Sequence, residues 1–280
     1  MDRLTKGATV GPTRSEEGAP GGWRERVARS LGPVGAPQPL GGRSWRLPTA
    51  HGDVVVKTGP GAIDEAEGLA ELGRGEGAPP VPEVLLAEPG LLVTRWVEQG
   101  PRTRAHDEAL GQTLAALHAQ GWPHFGGGSS WIGDCPVDPA VCRDGEAFYG
   151  SRLSELAARC ELEHQIRPVL DRIGRMLPPD GPALVHGDLW WGNVLWGADG
   201  RPWLIDPSAH GGYPEEDLTM LGLFGSVPDA TARAYAEERP PAAGWEERVD
   251  LFRLYPLLVH AVLFGGDYRA EAEAVIRRLT

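Results

Sequence analysis

The sequence lacks several features that mark particular classes of protein. Its three cysteines are an odd number without zinc-type spacing to histidine, which argues against a disulfide scaffold or a zinc site. No run of 18 apolar residues occurs, and no apolar segment follows the first charges, so neither a membrane span nor a signal peptide is predicted. Because 27 Lys and Arg face 39 Asp and Glu, a nucleic-acid partner is disfavoured. We therefore expect a cytoplasmic, monomeric protein with reduced thiols.

The length of the chain and its distribution of strand and helix patterns predict two lobes. A chain of 280 residues, 41% hydrophobic and 24% charged, can bury a sizeable core. Residues 1–22 carry Gly, Pro, Thr and charge without periodicity, which predicts a disordered tail. Strand patterns dominate residues 23–97 and helical patterns residues 98–280, which predicts an α+β fold with a small sheet-containing lobe and a larger helical one.

Helical periodicity marks most of the chain outside the sheet. The predicted helices are 23–31, 63–72, 107–120, 148–159, 166–177, one beginning at 217, 251–264 and 269–279.

The most informative stretch holds two aspartates and an asparagine around a predicted β-hairpin. Residues 194–196 and 203–205 read as short strands around a turn rich in Gly, Pro and Asp. Folding this hairpin brings Asn193 next to Asp206, and an amide oxygen beside a carboxylate suits Mg²⁺ that also carries substrate phosphates. Asp188 is free to orient or deprotonate a hydroxyl. This order and spacing are typical of kinase catalytic machinery.

Groups that could hold nucleotide phosphates precede this stretch. The β-branched run that starts at Val54 ends in Lys57, which predicts a buried strand presenting an ammonium group to the phosphates. The glycine-rich loop before it could approach the phosphates closely, although a plain hairpin turn would also explain its glycines. The loop residues assigned to ATP are Gly41, Gly42, Arg43 and Ser44.

The helix predicted for residues 63–72 offers an acidic partner for the lysine. Either Glu65 or Glu67 could form the ion pair, and Glu65 is preferred because Glu-Ala-x-x-Leu is the usual arrangement in small-molecule kinases. A solvated helix face is the alternative interpretation of both. Arg95, Trp96 and Val97 form the expected connection between the lobes, where adenine would hydrogen-bond to the backbone.

These residues carry a family resemblance. The segment His186-Gly-Asp-Leu-Trp-Trp-Gly-Asn193 resembles the catalytic loop of the fructosamine kinase (ketosamine-3-kinase) family, a branch of the aminoglycoside phosphotransferase-like kinases with a protein-kinase-like fold. Residues 206–225, with Asp-Pro in place of the protein-kinase Asp-Phe-Gly, resemble the family segment that follows. Further matching segments in order are Leu40–Gly42, Glu65–Leu69, His124–Gly126, Trp131–Gly133, Arg152–Leu153 and Leu258–Tyr268, so that the resemblance covers about residues 23–279.

The resemblance implies ATP- and Mg²⁺-dependent phosphorylation of the 3-hydroxyl of ketosamines, which are sugars joined to an amine by glycation. The acceptor would be a ribulosamine, erythrulosamine or fructosamine on a small amine or a protein lysine, and the activity would serve protein deglycation. His186 would have a structural role, packing and hydrogen-bonding within the catalytic loop, and Asp217 would brace that loop as a helix cap. The acceptor-side residues implied are Trp190, Trp191, His210, Glu215, His260 and Tyr268.

Three positions depart from the patterns. Tyr213-Pro214 stands where many relatives carry His-Arg, and Arg95 stands where an acidic residue is frequent. Gly187 stands where many protein kinases carry an arginine that answers a phosphorylated activation loop, which predicts a constitutively assembled site. Two alternatives stay open: an aminoglycoside- or choline-type phosphotransferase, and a non-catalytic nucleotide-binding pseudokinase.

Overall fold

The computed structural model describes residues 22–75 and 77–280. The tail predicted for residues 1–22 therefore lies outside the described residues, except for Gly22.

The N-terminal part is built on an antiparallel sheet of five strands in the order β1-β2-β3-β5-β4. The run from Val54 to Val56 forms the centre of the sheet because β-branched side chains pack well on a pleated surface. Its buried face meets the first helix, where the rings of Trp23 and Trp45 stack with centroids 5.1 Å apart. The elements are α1 (Trp23–Leu31), β1 (Gln38–Gly41), β2 (Ser44–Thr49), β3 (Gly52–Thr58), α2 (Ala62–Leu72), β4 (Val84–Glu88) and β5 (Leu91–Arg95).

The rest of the chain is mostly helical. Its main core gathers around α9, whose apolar faces pack on α4, α7 and α10. The helices are α3 (Arg104–Ala119), α4 (Gly145–Arg159), α5 (Glu163–Leu170), α6 (Ile173–Met176), α7 (Pro214–Leu221), α8 (Asp229–Glu238), α9 (Trp245–Phe264) and α10 (Gly266–Leu279). The short strands form three antiparallel pairs, β6 (Trp131–Ile132) with β7 (Cys135–Pro136), β8 (Ala183–Val185) with β11 (His210–Gly212), and β9 (Val194–Trp196) with β10 (Pro202–Leu204).

The predicted α+β fold is confirmed, and most predicted helices agree with the structure to within a few residues. The helix predicted for residues 166–177 is wrong as a single element, because the structure divides it into α5 and α6. Buried Ile166, Val169 and Ile173 keep helical spacing across the break, while Pro168 lacks an N–H for the helical ladder. Helix α8 and the pairs β6–β7 and β8–β11 were not predicted. The predicted lobe boundary at 97/98 falls between β5 and α3.

Within the described residues, every helix is too short or too polar to cross a lipid bilayer.

Candidate active site

The hairpin of β9 and β10 brings the metal-ligand candidates together. The two strands pair antiparallel, and the amide of Ile205 donates to the carbonyl of Asn193 across 3.1 Å. Asn193 therefore lies beside the residue that follows Ile205, which is Asp206. The Asn193 side-chain amide donates to the backbone oxygen of Asp188 at 2.8 Å and to its carboxylate at 3.2 Å. Because its nitrogen is thus engaged, the amide oxygen of Asn193 is left to face a ligand.

Lys57 joins the two lobes at this point. Its ammonium group donates to Glu65 Oε1 at 2.6 Å and also contacts Asp206 Oδ1. Burial alone would lower the pKa of Lys57, but the two carboxylates outweigh it and hold the pKa above its ordinary value of 10.5. The ammonium is therefore charged throughout the neutral range and can attract phosphate. Between the two glutamates considered from sequence, Glu65 is the one in contact.

Asp188 is the carboxylate best placed to accept a proton. Burial is the main reason that its pKa lies well above its ordinary value of 3.8, and the negative charge of Asp206 adds to the effect. Only the 3.2 Å hydrogen bond from Asn193 opposes these two influences. A carboxylate with a raised pKa is a stronger base, so this arrangement favours general-base chemistry.

Two adjoining cavities meet at these groups. One of about 390 Å³ has apolar walls from Val55, Leu69 and Leu195 and includes the interlobe residues 95–97. The other, of about 310 Å³, reaches Asp188. Both are lined by Ser44, Lys57, Glu65 and Asp206, so together they form one continuous cleft. Gly41 lines the first cavity, and Gly42 and Arg43 line the second. The cleft thus has an apolar end suited to a nucleobase and a charged end suited to phosphates.

The side chains of the interlobe residues are held by protein contacts. Arg95 donates to Glu83 and to the carbonyl of His51, each at 3.0 Å. Trp96 lies under the guanidinium of Arg46, 4.2 Å from the ring centroid. Recognition of a base at this edge would therefore use backbone groups.

The buried carboxylate of Asp217 anchors the start of the catalytic loop. Asp217 of α7 is fully buried and accepts from the amide of His186 at 2.7 Å and from that of Gly187 at 2.9 Å. It also accepts from His118 at 3.1 Å. Burial alone would raise the pKa of Asp217, but these donors outweigh it and hold the pKa below its ordinary value of 3.8. Asp217 is therefore an ionised anchor for the start of the loop.

His186 and Gly187 complete this support. The imidazole of His186 bonds the carbonyl of Ile205 at 2.9 Å and accepts from the amide of Asp188 at 3.2 Å, which links the catalytic loop to the strand leading into Asp206. Gly187 has a φ of 77°, a conformation that favours glycine, and the carbonyl of Ser208 leaves no space for a side chain. An arginine at this position would not fit the backbone.

An exposed group of aromatic side chains lies beside the catalytic loop. Trp190, 40% exposed, has its ring 6.1 Å from that of Phe224, which in turn lies 5.3 Å from His260. His260 lies 4.9 Å from Tyr268 and 5.8 Å from Phe264. We call these five residues the aromatic cluster. It unites three acceptor-side predictions with Phe224 and Phe264, which were not predicted as site residues although both lie in segments that carry the resemblance.

Three predicted acceptor-side residues are not brought to the cleft, and this corrects the sequence interpretation. His210 is 1% exposed and bonds Ser208 and Glu216 in the interior. Glu215 is 4% exposed and pairs with Arg248 at 2.5 Å. Trp191 packs against Trp196 and under Arg102. The family resemblance implied contact with a substrate, but internal hydrogen bonds and an ion pair satisfy the side chains of His210 and Glu215.

The donor set fits Mg²⁺ that arrives with phosphates. Within residues 22–75 and 77–280, no group of three or more His, Cys, Asp or Glu side chains could hold a metal ion alone. Asn193 and Asp206 supply two oxygen donors, and Mg²⁺ typically takes one or two protein ligands together with phosphates and waters.

Comparison with known proteins identifies the family. A profile described as fructosamine kinase matches residues 57–280. A probable ketoamine kinase of Thermus thermophilus is 35% identical over 235 residues, covering 81% of this chain and 86% of its own length. The chloroplastic protein-ribulosamine 3-kinase of Arabidopsis thaliana is 30% identical over 195 residues, covering 62% and 57%.

Comparison with solved structures supports the same family. A crystal structure from Thermobifida fusca, described as a candidate fructosamine-3-kinase, superposes with a TM-score of 0.81 at 36% identity and covers 91% of this chain and 97% of its own. A choline kinase of Streptococcus pneumoniae, at 15% identity, shares the fold with a TM-score of 0.62 and covers 91% and 96%. The chain therefore belongs to the fructosamine kinase family and is an ATP-dependent kinase with the protein-kinase-like fold.

Proposed function

We propose that the protein is a ketosamine 3-kinase, which transfers the γ-phosphoryl group of ATP to the 3-hydroxyl of a sugar joined to an amine. The observation that carries the proposal is the position of Asp188. Asp188 lines the same cavity as Lys57, and its backbone oxygen accepts from the amide of Trp190, a member of the aromatic cluster, at 3.2 Å. A hydroxyl held on the cluster side would meet both the base and the phosphates.

Each group of the cleft has a distinct role in this reaction. Lys57, held by Glu65, binds the nucleotide phosphates, while the loop residues Gly41–Ser44 cover them. Asn193 and Asp206 would hold Mg²⁺, which neutralises the phosphate charge when bound. Asp188 orients the acceptor hydroxyl and takes its proton as the oxygen bonds to the γ-phosphorus. The bond from that phosphorus to the bridging oxygen breaks, and ADP leaves with the bond's electrons.

Nucleotide specificity would come from the apolar end of the cleft. The backbone N–H of Val97 has no hydrogen-bond partner within the part of the chain that the structure describes. An adenine between the apolar walls could accept from this group. This arrangement does not depend on the Arg95 side chain, so the departure at that position is compatible with ATP.

The aromatic cluster would bind the acceptor. Burial lowers the pKa of His260, so this ring is neutral at pH 7 and does not repel a cationic amine. Aromatic faces attract such cations, and a glycated amine retains a positive charge. The same chemistry would suit choline, which makes a choline-type phosphotransferase the second candidate.

The decisive experiment is an acceptor panel with ATP and Mg²⁺. Fructosyl-, ribulosyl- and erythrulosyl-lysine are compared with kanamycin and choline, and ³¹P and ¹³C NMR locate the phosphate on each product. We expect transfer to the 3-hydroxyl of one or more ketosamines, lost on chelation of the metal. Phosphorylation of kanamycin or choline alone would refute the proposal, and ATP binding without transfer to any acceptor would favour a pseudokinase.

The wider role follows from the same chemistry. The family resemblance implies that the 3-phosphate makes the adduct labile, so we propose glycated protein lysines as acceptors and deglycation as the outcome. A glycated carrier protein incubated with the enzyme and ATP should lose ketosamine, whereas the Asp188→Asn variant should leave it. A monomeric state and a cytoplasmic location remain proposals that sedimentation and fractionation would test.

A further inference from the structure

The helix that carries Glu65 is attached to the C-terminal lobe by its neighbour Asp64. One carboxylate oxygen of Asp64 accepts from the backbone amide of Ser130 at 2.8 Å, and the Ser130 hydroxyl donates to the same oxygen. The two residues are 66 positions apart in the chain, on opposite sides of the interlobe connection. We call this pair the clasp.

Close packing holds α2 at two further points. A Cβ placed on Gly61, just before the helix, would lie 3.1 Å from Cβ of Trp131. A Cβ placed on Gly68 would lie 3.2 Å from Pro207 and 3.4 Å from Ala209. At these distances, a residue larger than glycine would require its neighbours to move by a few tenths of an ångström. The start of α2 therefore packs against the segment 129–136, and its middle packs against Pro207, the residue that follows Asp206.

The segment 129–136 also touches the phosphate loop. Asp134, in the turn between β6 and β7, forms an ion pair with Arg43. One piece of the C-terminal lobe thus contacts both N-terminal elements that would hold ATP, which are the loop at Arg43 and the helix carrying Glu65.

This arrangement has a functional meaning because the lysine–glutamate pair must be assembled for phosphoryl transfer. In regulated protein kinases, activation-loop phosphorylation and movement of the corresponding helix control that pair. In this chain Gly187 stands in place of the arginine that would bind such a phosphate. The clasp holds α2 without any modification.

We propose that Asp64 is a positioning residue that, through Ser130, holds α2 so that Glu65 meets Lys57. The segment 129–136 then performs the task that an ordered activation loop performs in regulated kinases. The proposal rests on the function assigned to Lys57 and Glu65 above. It assigns Asp64 no contact with ATP or with the acceptor.

A double-mutant cycle tests the clasp. Affinity for ATP with Mg²⁺ is measured by calorimetry for the full chain and for the variants Asp64→Ala, Glu65→Ala and the double variant. Loss of hydrogen bonds to a charged group should weaken binding about tenfold in Asp64→Ala. In the Glu65→Ala background, the same change should cost less than about twofold, because the two residues act through one pair. Equal losses in both backgrounds, or no loss in either, would overturn the proposal.

Further variants separate positioning from general damage. Ser130→Ala removes one donor and should weaken nucleotide binding in the same direction, while Asp64→Asn keeps an acceptor oxygen and should restore part of the affinity. Glu67→Ala, an exposed change on the same helix, is the matched control and should bind like the parent. Hydrogen exchange should accelerate in α2 and at Ser130 in Asp64→Ala, with an unchanged unfolding temperature. Exchange that stays slow in α2 would contradict the role.

The cycle measures ATP affinity, so it tests the role of the clasp separately from the identity of the acceptor. Nucleotide binding requires no acceptor, so the cycle can succeed even if no ketosamine is phosphorylated. Conversely, ketosamine transfer by the parent with an additive cycle would support the proposed function and reject the clasp.

Discussion

Asp188 and Asp217, which both lie at the catalytic loop, have pKa values shifted in opposite directions. Asp188 lies at the cleft with one side-chain donor at 3.2 Å, whereas Asp217 lies in the core and receives three hydrogen bonds. Burial pushes the pKa of both upward, yet only that of Asp188 is raised, while that of Asp217 is lowered. The donors around Asp217 outweigh the effect of its burial on the pKa, whereas at Asp188 the negative charge of Asp206 adds to the effect of burial and one donor opposes them. The cleft leaves one carboxylate poorly satisfied and reactive, and the core satisfies the other and uses it as an anchor.

The largest expected effect comes from the reactive member of the pair. Asp188→Asn keeps the shape of the side chain but removes the base, so we expect kcat to fall by about 10³-fold. ATP affinity and the unfolding temperature should change little, because the asparagine keeps a side-chain oxygen that can accept from Asn193. Steady-state kinetics with the best acceptor, together with calorimetry, measure both. Turnover near that of the parent would show that another group accepts the proton.

Removing the carboxylate of Asp217 should instead lower the free energy of unfolding. Asp217→Ala leaves the amides of His186 and Gly187 and the imidazole of His118 without their acceptor, which should cost about 3 kcal/mol or more of unfolding free energy. Urea denaturation measures the loss. Asp171→Ala, at an exposed position, is the matched control and should change the free energy by less than about 0.5 kcal/mol. Similar losses in the two variants would contradict the anchoring role.

Changes to the Lys57–Glu65 ion pair at the cleft should reduce activity less than the change at Asp188. Lys57→Met should lower kcat/KM for ATP by about 100-fold, and Glu65→Gln by about tenfold, because Asp206 still contacts the lysine in the latter. The loss of unfolding free energy should be smaller than in Asp217→Ala, since the side chains of Lys57 and Glu65 remain 19% and 21% exposed and that of Asp217 is fully buried. A large loss of stability with unchanged kinetics would place this pair with the anchors.

The smallest effect is a pH dependence. The folded-state pKa of Asp217 lies below its ordinary value of 3.8, so its contribution to stability is fully present above that pH and is lost as the pH falls through the lowered folded value. The difference in unfolding free energy between the parent and Asp217→Asn should therefore be constant near neutrality and shrink below pH 3.8. Denaturation series at neutral and acid pH measure it. A difference that grows on acidification would contradict the assignment.

Local patterns predicted the catalytic loop well for a physical reason. Asn193 and Asp206 flank a hairpin whose register depends on a short turn, so their proximity is encoded within a few residues. The strand ending in Lys57 and the helix carrying Glu65 were similarly local. The α+β fold followed from the segregation of strand and helix patterns along the chain.

Long-range contacts could not be predicted in this way. Nothing near Glu215 in sequence indicates Arg248, which neutralises it from 33 positions away. His210 is polar, yet its pairing in β11 with β8 turns it into the core. The clasp between Asp64 and Ser130 likewise depends on how the lobes meet, which residue patterns do not encode. For these polar residues, the packing partner decides between contact with a substrate and structural support.

The backbone at Asp206 has a consequence for the evolution of the protein. Asp206 has a φ of 56° and is one of two non-glycine residues with positive φ among those described. A side chain in this conformation costs about 1 kcal/mol relative to glycine. Selection for thermal robustness alone would favour glycine at this position. Under the proposed mechanism, selection for turnover opposes glycine because it offers no side-chain oxygen to Mg²⁺. If Asp206 holds the metal as proposed, the residue that best suits the backbone at position 206 and the residue that the reaction requires are different.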